Sequence, residues 1–224
     1  MHIPMPEPSN AALQKQLDRM RVRRAFRWSA VATLLVLTLH AALATVDIHA
    51  LTVQPRSALG LLGLLFAPLL HGGWNHVLSN SIAILLLGTL AGSVYPRATV
   101  RALPWMWLGS GLGAWLLGAQ GEHHLGASGI THGLMFLVFF LGLLRRDRAA
   151  VAAAMIAFLV YGGMMMTIFP QEAGISWQSH LGGALAGLLC AFTLRTADPL
   201  PPRRVYSWEL EEEADTDSDD NRQF

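Results

Sequence analysis

Charge is scarce in this chain of 224 residues. Asp, Glu, Lys and Arg make up 14% of it, where a soluble domain carries about 25%. Cysteine is scarcer: Cys190 stands alone, which excludes a disulfide framework and any cysteine-based metal cluster. The net charge is only +1, which argues against a nucleic-acid binder. An apolar fraction of 53% is too high for a disordered protein. The few charges are also badly mixed. Eight of the 15 acids fall between Glu209 and Asp220, and six of the 16 bases fall before Trp28. Long apolar runs fill the interval. This is the composition of a polytopic membrane protein with short polar tails.

A spanning helix needs about 20 mostly apolar residues. Six segments qualify, roughly 28–46, 74–93, 103–119, 126–144, 149–169 and 176–195. A seventh run, Ser57 to Leu70, has 14 residues and contains Pro68; runs of that length are more often interfacial or re-entrant. The bases decide the parity. With six spans, fifteen of the sixteen Lys and Arg residues fall on one side and only Arg56 on the other. A seventh span would move every later connector and destroy that bias. The positive-inside rule then puts both termini in the cytoplasm. Ala42-Leu43-Ala44 is similar to a signal-peptide cleavage site, but 27 residues precede the first apolar run, too many for a typical signal sequence.

Three regions follow. Residues 1–27 read as a basic cytoplasmic segment that fixes orientation, with a short helix from Ala11 to Arg27 able to rest on anionic headgroups. Residues 28–196 read as a six-helix core in the lipid bilayer. Residues 197–224, opening with Pro199, Pro201 and Pro202, read as an acidic, disordered cytoplasmic tail. Met164-Met165-Met166 and Cys190 read as packing. Glu122-His123-His124 lacks the spacing that would put a metal-binding pair on one helical face and reads as a solvated loop. No metal or other cofactor is implied.

Polar groups inside spanning segments are expensive and point to function. Here they are His76 with Asn80 early in the second segment, Ser128 and His132 early in the fourth, and His180 early in the sixth. His40, near the outer end of the first, reads as an interfacial residue without a partner. With the N-terminus inside, the second, fourth and sixth segments all start at the outer face. At about 1.5 Å per residue, His76, Ser128 and His180 then fall within about 3–6 Å of one another in depth. Gly129 and Gly133 follow Ser128, and Gly183 and Gly187 follow His180. Both are small-xxx-small patterns that let helix backbones approach closely in lipid. Packing those faces together brings the Ser128 hydroxyl within reach of the His180 ring.

A serine touching a histidine is the minimal nucleophile–base pair. The imidazole takes the hydroxyl proton during attack and returns it to the leaving group. Fixed donors must stabilise the oxyanion. His76 and Asn80, four apart on one helical face, can offer side-chain N–H groups, and Ser128 lies near a helix N-terminus. No carboxylate lies in any span, so the inventory allows a dyad and not a triad. His132, four residues after Ser128 on the same helix, competes with His180 for the base by proximity alone.

These motifs in order, His71-Gly-Gly-Trp-Asn-His76-Val-Leu-Ser-Asn80, Gly126-Ala-Ser128-Gly129 and His180-Leu-Gly-Gly183-Ala-Leu-Ala-Gly187, resemble those of the rhomboid intramembrane serine proteases. The resemblance covers about 57–195. It implies an all-α polytopic membrane fold with six transmembrane helices and a half-submerged first external loop at 57–70. It implies Ser128 as nucleophile, His180 as general base, and His76, Asn80 and the Ser128 N–H as the oxyanion hole. His71 would orient the first loop, with His132, Gly126, Gly129, Gly183 and Gly187 supporting the site. Substrates would be single-span transmembrane proteins cut in or near their membrane helix, against a movable fifth segment, in a bacterial inner membrane. Two positions depart from the pattern. The first loop carries Arg56 without the Trp-Arg pair of many members. His132 stands where many have tyrosine, similar to rhombosortase-like branches. The alternatives are a catalytically inactive rhomboid-like protein that binds membrane clients, which would normally lack the Ser or the His, and a transporter, which would place its polar groups near the midplane.

Overall fold

The computed structural model describes residues 8–170 and 174–199. The expected disorder of the tail beyond Pro199 lies outside the described residues. Among the described residues the chain forms seven α-helices, linked in places by 3-10 turns, and no strand. The helices are α1 (Pro8–Ala42), α2 (Gly60–Phe66), α3 (Trp74–Val94), α4 (Pro96–Leu117), α5 (Ser128–Arg145), α6 (Arg148–Tyr161) and α7 (Trp177–Thr193). A 3-10 segment, Gly162–Ile168, continues α6.

Four stretches are long and apolar enough to cross a membrane: Leu13–Ala42, α3, α5 and Arg148–Ile168. The six comparable spans expected from the sequence are therefore met in part. α4 has 22 residues but begins at Pro96 and includes Arg97, Arg101 and Pro104, while α7 has 17. Hydropathy starts the third segment at residue 103 because it discounts the arginines; backbone hydrogen bonding does not. Helix α1 likewise begins well before Trp28, for the same reason. Large apolar side chains crowd the outside, as at Leu34 (60% exposed), Leu159 (76%) and Leu189 (63%). A contiguous surface of that kind would aggregate in water. In lipid it is the solvent-facing side, and the protein is an integral membrane protein.

Helix α5 is the axis. Every residue from Gly129 to Val138 is buried, and α3, α4, α6 and α7 all pack against it. Its end is set by Arg146 in the left-handed region (φ 57°), and Asp147 then caps α6 by accepting from the Ala150 N–H at 3.0 Å. At this same end the Asp198 carboxylate accepts from the Arg97 and Ala98 N–H groups, both at 2.9 Å. It caps α4 from a hundred residues away. Arg145 donates to the Asp198 carbonyl (2.9 Å) and lies over the Tyr95 ring.

The other end carries the loops. Helix α2 is pressed so close that a Cβ on Gly63 would land on the Thr52 carbonyl. Arg56 donates to the Gly118 carbonyl (2.9 Å), and the indoles of Trp107 and Trp115 donate to the Leu64 and Ser57 carbonyls at 2.9 and 3.0 Å. The loop is thus anchored by Arg56 and by tryptophans contributed from α4. His40, expected to lack a partner, meets the Trp74 ring edge-on at 4.8 Å.

The contact between α5 and α7 is the tightest in the core. A Cβ on Gly183 would fall on the Gly129 carbonyl oxygen, and one on Gly187 on the Gly133 carbonyl oxygen. Both clashes are with backbone, which cannot swing aside. Gly187→Ala should therefore cost at least the ~1–3 kcal/mol typical of overpacking and lower the midpoint of thermal unfolding in detergent. Gly163→Ala, with nothing within 4 Å of the added Cβ, should be close to silent. Equal midpoints for the two variants would contradict the close-packing account.

Candidate active site

Ser128 opens α5, and the chain reaches it through Gly126, whose φ of 114° only glycine adopts cheaply. A Cβ at Gly126 would also stand 2.6 Å from the His76 ring and 3.5 Å from Asn80 Nδ2. His76 and Asn80, one turn apart on α3, thus flank the backbone two residues before the serine. Asn80 is buried, and its Nδ2 has no acceptor among the described residues. An orphaned buried donor costs about 1–3 kcal/mol, so a native structure that keeps one invites a reason. His71 lies beneath the same segment. Its Nε2 is 3.5 Å from the Ala127 N–H, and its ring meets His76 edge-on at 5.1 Å.

His180 comes from the first turn of α7, and its Nε2 lies 2.9 Å from Ser128 Oγ. Its Nδ1 lies 3.1 Å from the Thr167 carbonyl oxygen. A carbonyl can only accept, so Nδ1 carries the proton and Nε2 turns a lone pair toward the serine hydroxyl. Thr167 thus supplies the orienting group that a carboxylate supplies in a triad. Among the described residues no carboxylate bonds to His180 or His132.

The two histidines differ in what they meet. The His132 ring stacks on that of His180, centroids 3.9 Å apart and planes 14° from parallel. Its Nδ1 donates to the Ser128 carbonyl at 2.6 Å, not to the hydroxyl. Its Nε2 faces the Thr167 hydroxyl at 2.8 Å. One threonine therefore touches both rings, with its carbonyl on His180 and its hydroxyl on His132.

Sequence reasoning missed this threonine, because the group that counts is a backbone carbonyl on which no side-chain pattern reports. It also placed the whole of Glu122-His123-His124 in a solvated loop, where Glu122 and His123 are indeed exposed but His124 is not. His124 is buried, its backbone bridges Val53 in both directions at 2.9 Å, and its Nδ1 lies 2.8 Å from Ser176 Oγ. The first loop folds over it and removes it from water. Ser176 is the cap of α7, accepting from the Ser179 N–H and donating to the Ser179 hydroxyl at 2.8 Å. That Ser-x-x-Ser spacing was a readable helix start. Burial lowers the His124 pKa against the pull of the Glu122 carboxylate, 3.2 Å from its Nε2, and since the Ser176 hydroxyl donates to Ser179, Nδ1 holds the cap as a donor.

Comparison with known proteins gives a consistent picture. A family model described as the Rhomboid domain matches residues 58–197. Uncharacterised proteins of Mycobacterium tuberculosis and Mycobacterium bovis are 37% identical over 150 residues, covering 63% of this chain and 62% of theirs. One from Mycobacterium leprae is 32% identical over 166 residues, covering 70% of this chain and 63% of its own length. The chain thus spans less than two thirds of the curated relatives it matches.

The His71 environment generates a prediction about pH. Burial, and then the adjacent His76 ring, draw its pKa down from 6.5 to about 4. The unfolded chain therefore binds a proton that the folded one refuses between those values, and stability falls as pH falls through that window. A displacement of this size corresponds to about 3 kcal/mol. The gap in unfolding midpoint between wild type and His71→Asn should narrow steadily from about pH 7 to pH 4. A gap that stays constant would mean that His71 is not held neutral by the fold.

Proposed function

The chain belongs to the rhomboid family, and on that premise we propose that it is an intramembrane serine endopeptidase. It cleaves single-span membrane proteins in or near their transmembrane helix. The observation that carries the reading is the 2.9 Å contact between His180 Nε2 and Ser128 Oγ, with Nε2 as the unprotonated nitrogen. Ser128 attacks the scissile carbonyl while His180 takes its proton, then passes it to the leaving amine. The oxyanion forms beside Asn80 Nδ2, the His76 ring and the N–H groups left free at the start of α5. A water molecule, activated by the same His180, hydrolyses the acyl-enzyme.

His132 acts as the ring that supports the base. Stacked on His180 and tied to the Ser128 carbonyl, it limits the motion of the imidazole and takes no proton from the nucleophile. Six crossings, both termini in the cytoplasm of a bacterial cell and a site open to the outer face complete the reading. The fifteen-to-one division of bases supports that orientation. Substrate helices would enter past α6 and Gly162–Ile168. Because Thr167 belongs to that segment, a substrate that displaces it also disturbs the group orienting the base.

A fluorophosphonate probe in liposomes should label the wild type, and labelling and peptide cleavage should vanish in Ser128→Ala and His180→Ala. His132→Tyr should keep substantial activity. Asn80→Ala should slow cleavage by less than the ~10²–10³-fold seen when a single donor is removed from a soluble serine protease, since other donors remain. An active His180→Ala beside a dead His132→Tyr would exchange the two roles. Undiminished labelling of Ser128→Ala would remove the proteolytic reading altogether.

A further inference from the structure

Helix α1 is longer than any membrane requires. Its 35 residues from Pro8 to Ala42 extend about 52 Å at 1.5 Å per residue, against about 30 Å of hydrocarbon. The surplus lies at the N-terminal end. Packing of α1 on α3 reaches down to Ala25, whose Cβ would meet a Cβ added at Gly92 at 3.1 Å, and α3 itself stops at Val94. Residues before Ala25 therefore run on past the end of α3. The helix is continuous there, so this part projects along the line of the span.

The projecting part carries Lys15, Arg19, Arg21, Arg23, Arg24 and Arg27, all exposed. Four of them, Lys15, Arg19, Arg23 and Arg27, succeed one another at intervals of four. They form a single ridge, and like charges four apart repel on a helix. The one acid nearby, Asp18, stands 3.9 Å from Arg21, off that ridge. A helix carrying this ridge is more stable with an anionic occupant.

The fold also brings one near. Asp198 is fixed to the Arg97 and Ala98 N–H groups at 2.9 Å, and Arg145 holds the Asp198 and Pro199 carbonyls at 2.9 and 3.3 Å. Arg97 lies only five residues beyond Gly92, the glycine that faces Ala25. The chain thus leaves the helical body beside the root of the basic ridge. Ten residues later, from Glu209 to Asp220, it carries eight acids. Ten residues reach up to about 33–36 Å, while Lys15 lies about 15 Å along the helix from Ala25. Tethering at that range supplies a high effective concentration without any new contact.

We infer that the segment Glu209–Asp220 docks on the Lys15–Arg19–Arg23–Arg27 ridge of α1 as an intramolecular ionic pairing. The inference does not rest on the proteolytic reading, and its failure would leave Ser128 and His180 untouched. The pairing neutralises the repulsion along the ridge, links the first helix to the segment that follows the last, and withholds the ridge from anionic lipid. It weakens as salt screens it.

Lys15 is the single lysine of the chain, which makes the test direct. The full-length protein in phosphatidylcholine and in phosphatidylglycerol vesicles is treated with a carbodiimide, which joins an amine to a carboxylate in direct contact. Peptide mapping of the monomer band should find Lys15 joined to acids of Glu209–Asp220 in both vesicles. The yield should fall several-fold near 1 M NaCl, where the screening length is about 3 Å, and in the triple variant Arg19→Gln, Arg23→Gln, Arg27→Gln. These positions are exposed, so the fold is not at stake. Coupling of Lys15 to Asp18 alone would overturn the pairing. So would a tail cross-link that the triple variant leaves unchanged, since that reports tethering without docking. A cross-link lost in phosphatidylglycerol would give the ridge to the lipid instead.

Discussion

Helices in lipid gain little from burying apolar side chains against each other, because the acyl chains around them are just as apolar. Their association rests on how closely backbones can pack. In this protein that constraint falls on Gly129 and Gly133 of α5 and Gly183 and Gly187 of α7, where each added Cβ would strike a carbonyl of the opposite helix. The two helices carry Ser128 and His180 at their first turns. A hydrogen bond of 2.9 Å between side chains on separate helices survives only if the helix axes are held to within a few tenths of an ångström. The glycines, and not the polar pair, set that distance.

The same solvent explains why, among the described residues, the His180 ring is oriented without a carboxylate. An ionised acid among these helices would carry a desolvation penalty of several kcal/mol, and His180 would have to repay it through one hydrogen bond. The Thr167 carbonyl selects the same tautomer with no net charge. It can do so because Thr167 stands at the end of the 3-10 segment Gly162–Ile168, three residues before Pro170, which has no N–H to claim that carbonyl. Stacking of His132 restricts the ring in the remaining direction. The arrangement replaces one strong electrostatic contact with two weaker geometric ones, which suits a medium where charges are costly.

Much of this was legible in the sequence, for reasons that differ by residue. Ser128, His180, His76 and Asn80 stood out because polar side chains are conspicuous in apolar segments, and the parity of the arginines put them at one depth. The glycine spacing predicted the α5–α7 contact because its cause is steric and local. Helix limits were less readable. Pro96 to Ala102 joins α4 since a helix continues through arginines that hydropathy discounts, and α6 gives way to a 3-10 segment at the Gly162-Gly163 pair. Thr167, Asp198 and Ser176 act through backbone groups or caps whose partners lie 13, 101 and 52 residues away. Pattern reading sees periodicity along the chain. It does not see which carbonyl a distant ring will meet.

The two ends of the molecule divide the labour between polar networks of different character. At the end near Asp198 the contacts are charged: a carboxylate on two N–H groups, Arg145 on two carbonyls and an acid. They fix helix ends, although Tyr95 Oη and Thr99 Oγ1 are buried there with no partner among the described residues. At the end near Ser128 the groups are neutral, and some are unmet, with Asn80 Nδ2 and His71 Nδ1 both buried without an acceptor among the described residues. A donor left unpaired in the resting protein gains a full hydrogen bond when negative charge develops beside it, so its contribution is greater in the transition state than in the ground state. An amide already paired would have to break one bond to make the other. The charged contacts therefore hold the helix ends in place, the end near Ser128 keeps neutral donors unpaired, and the glycine contact joins α5 to α7 between the two.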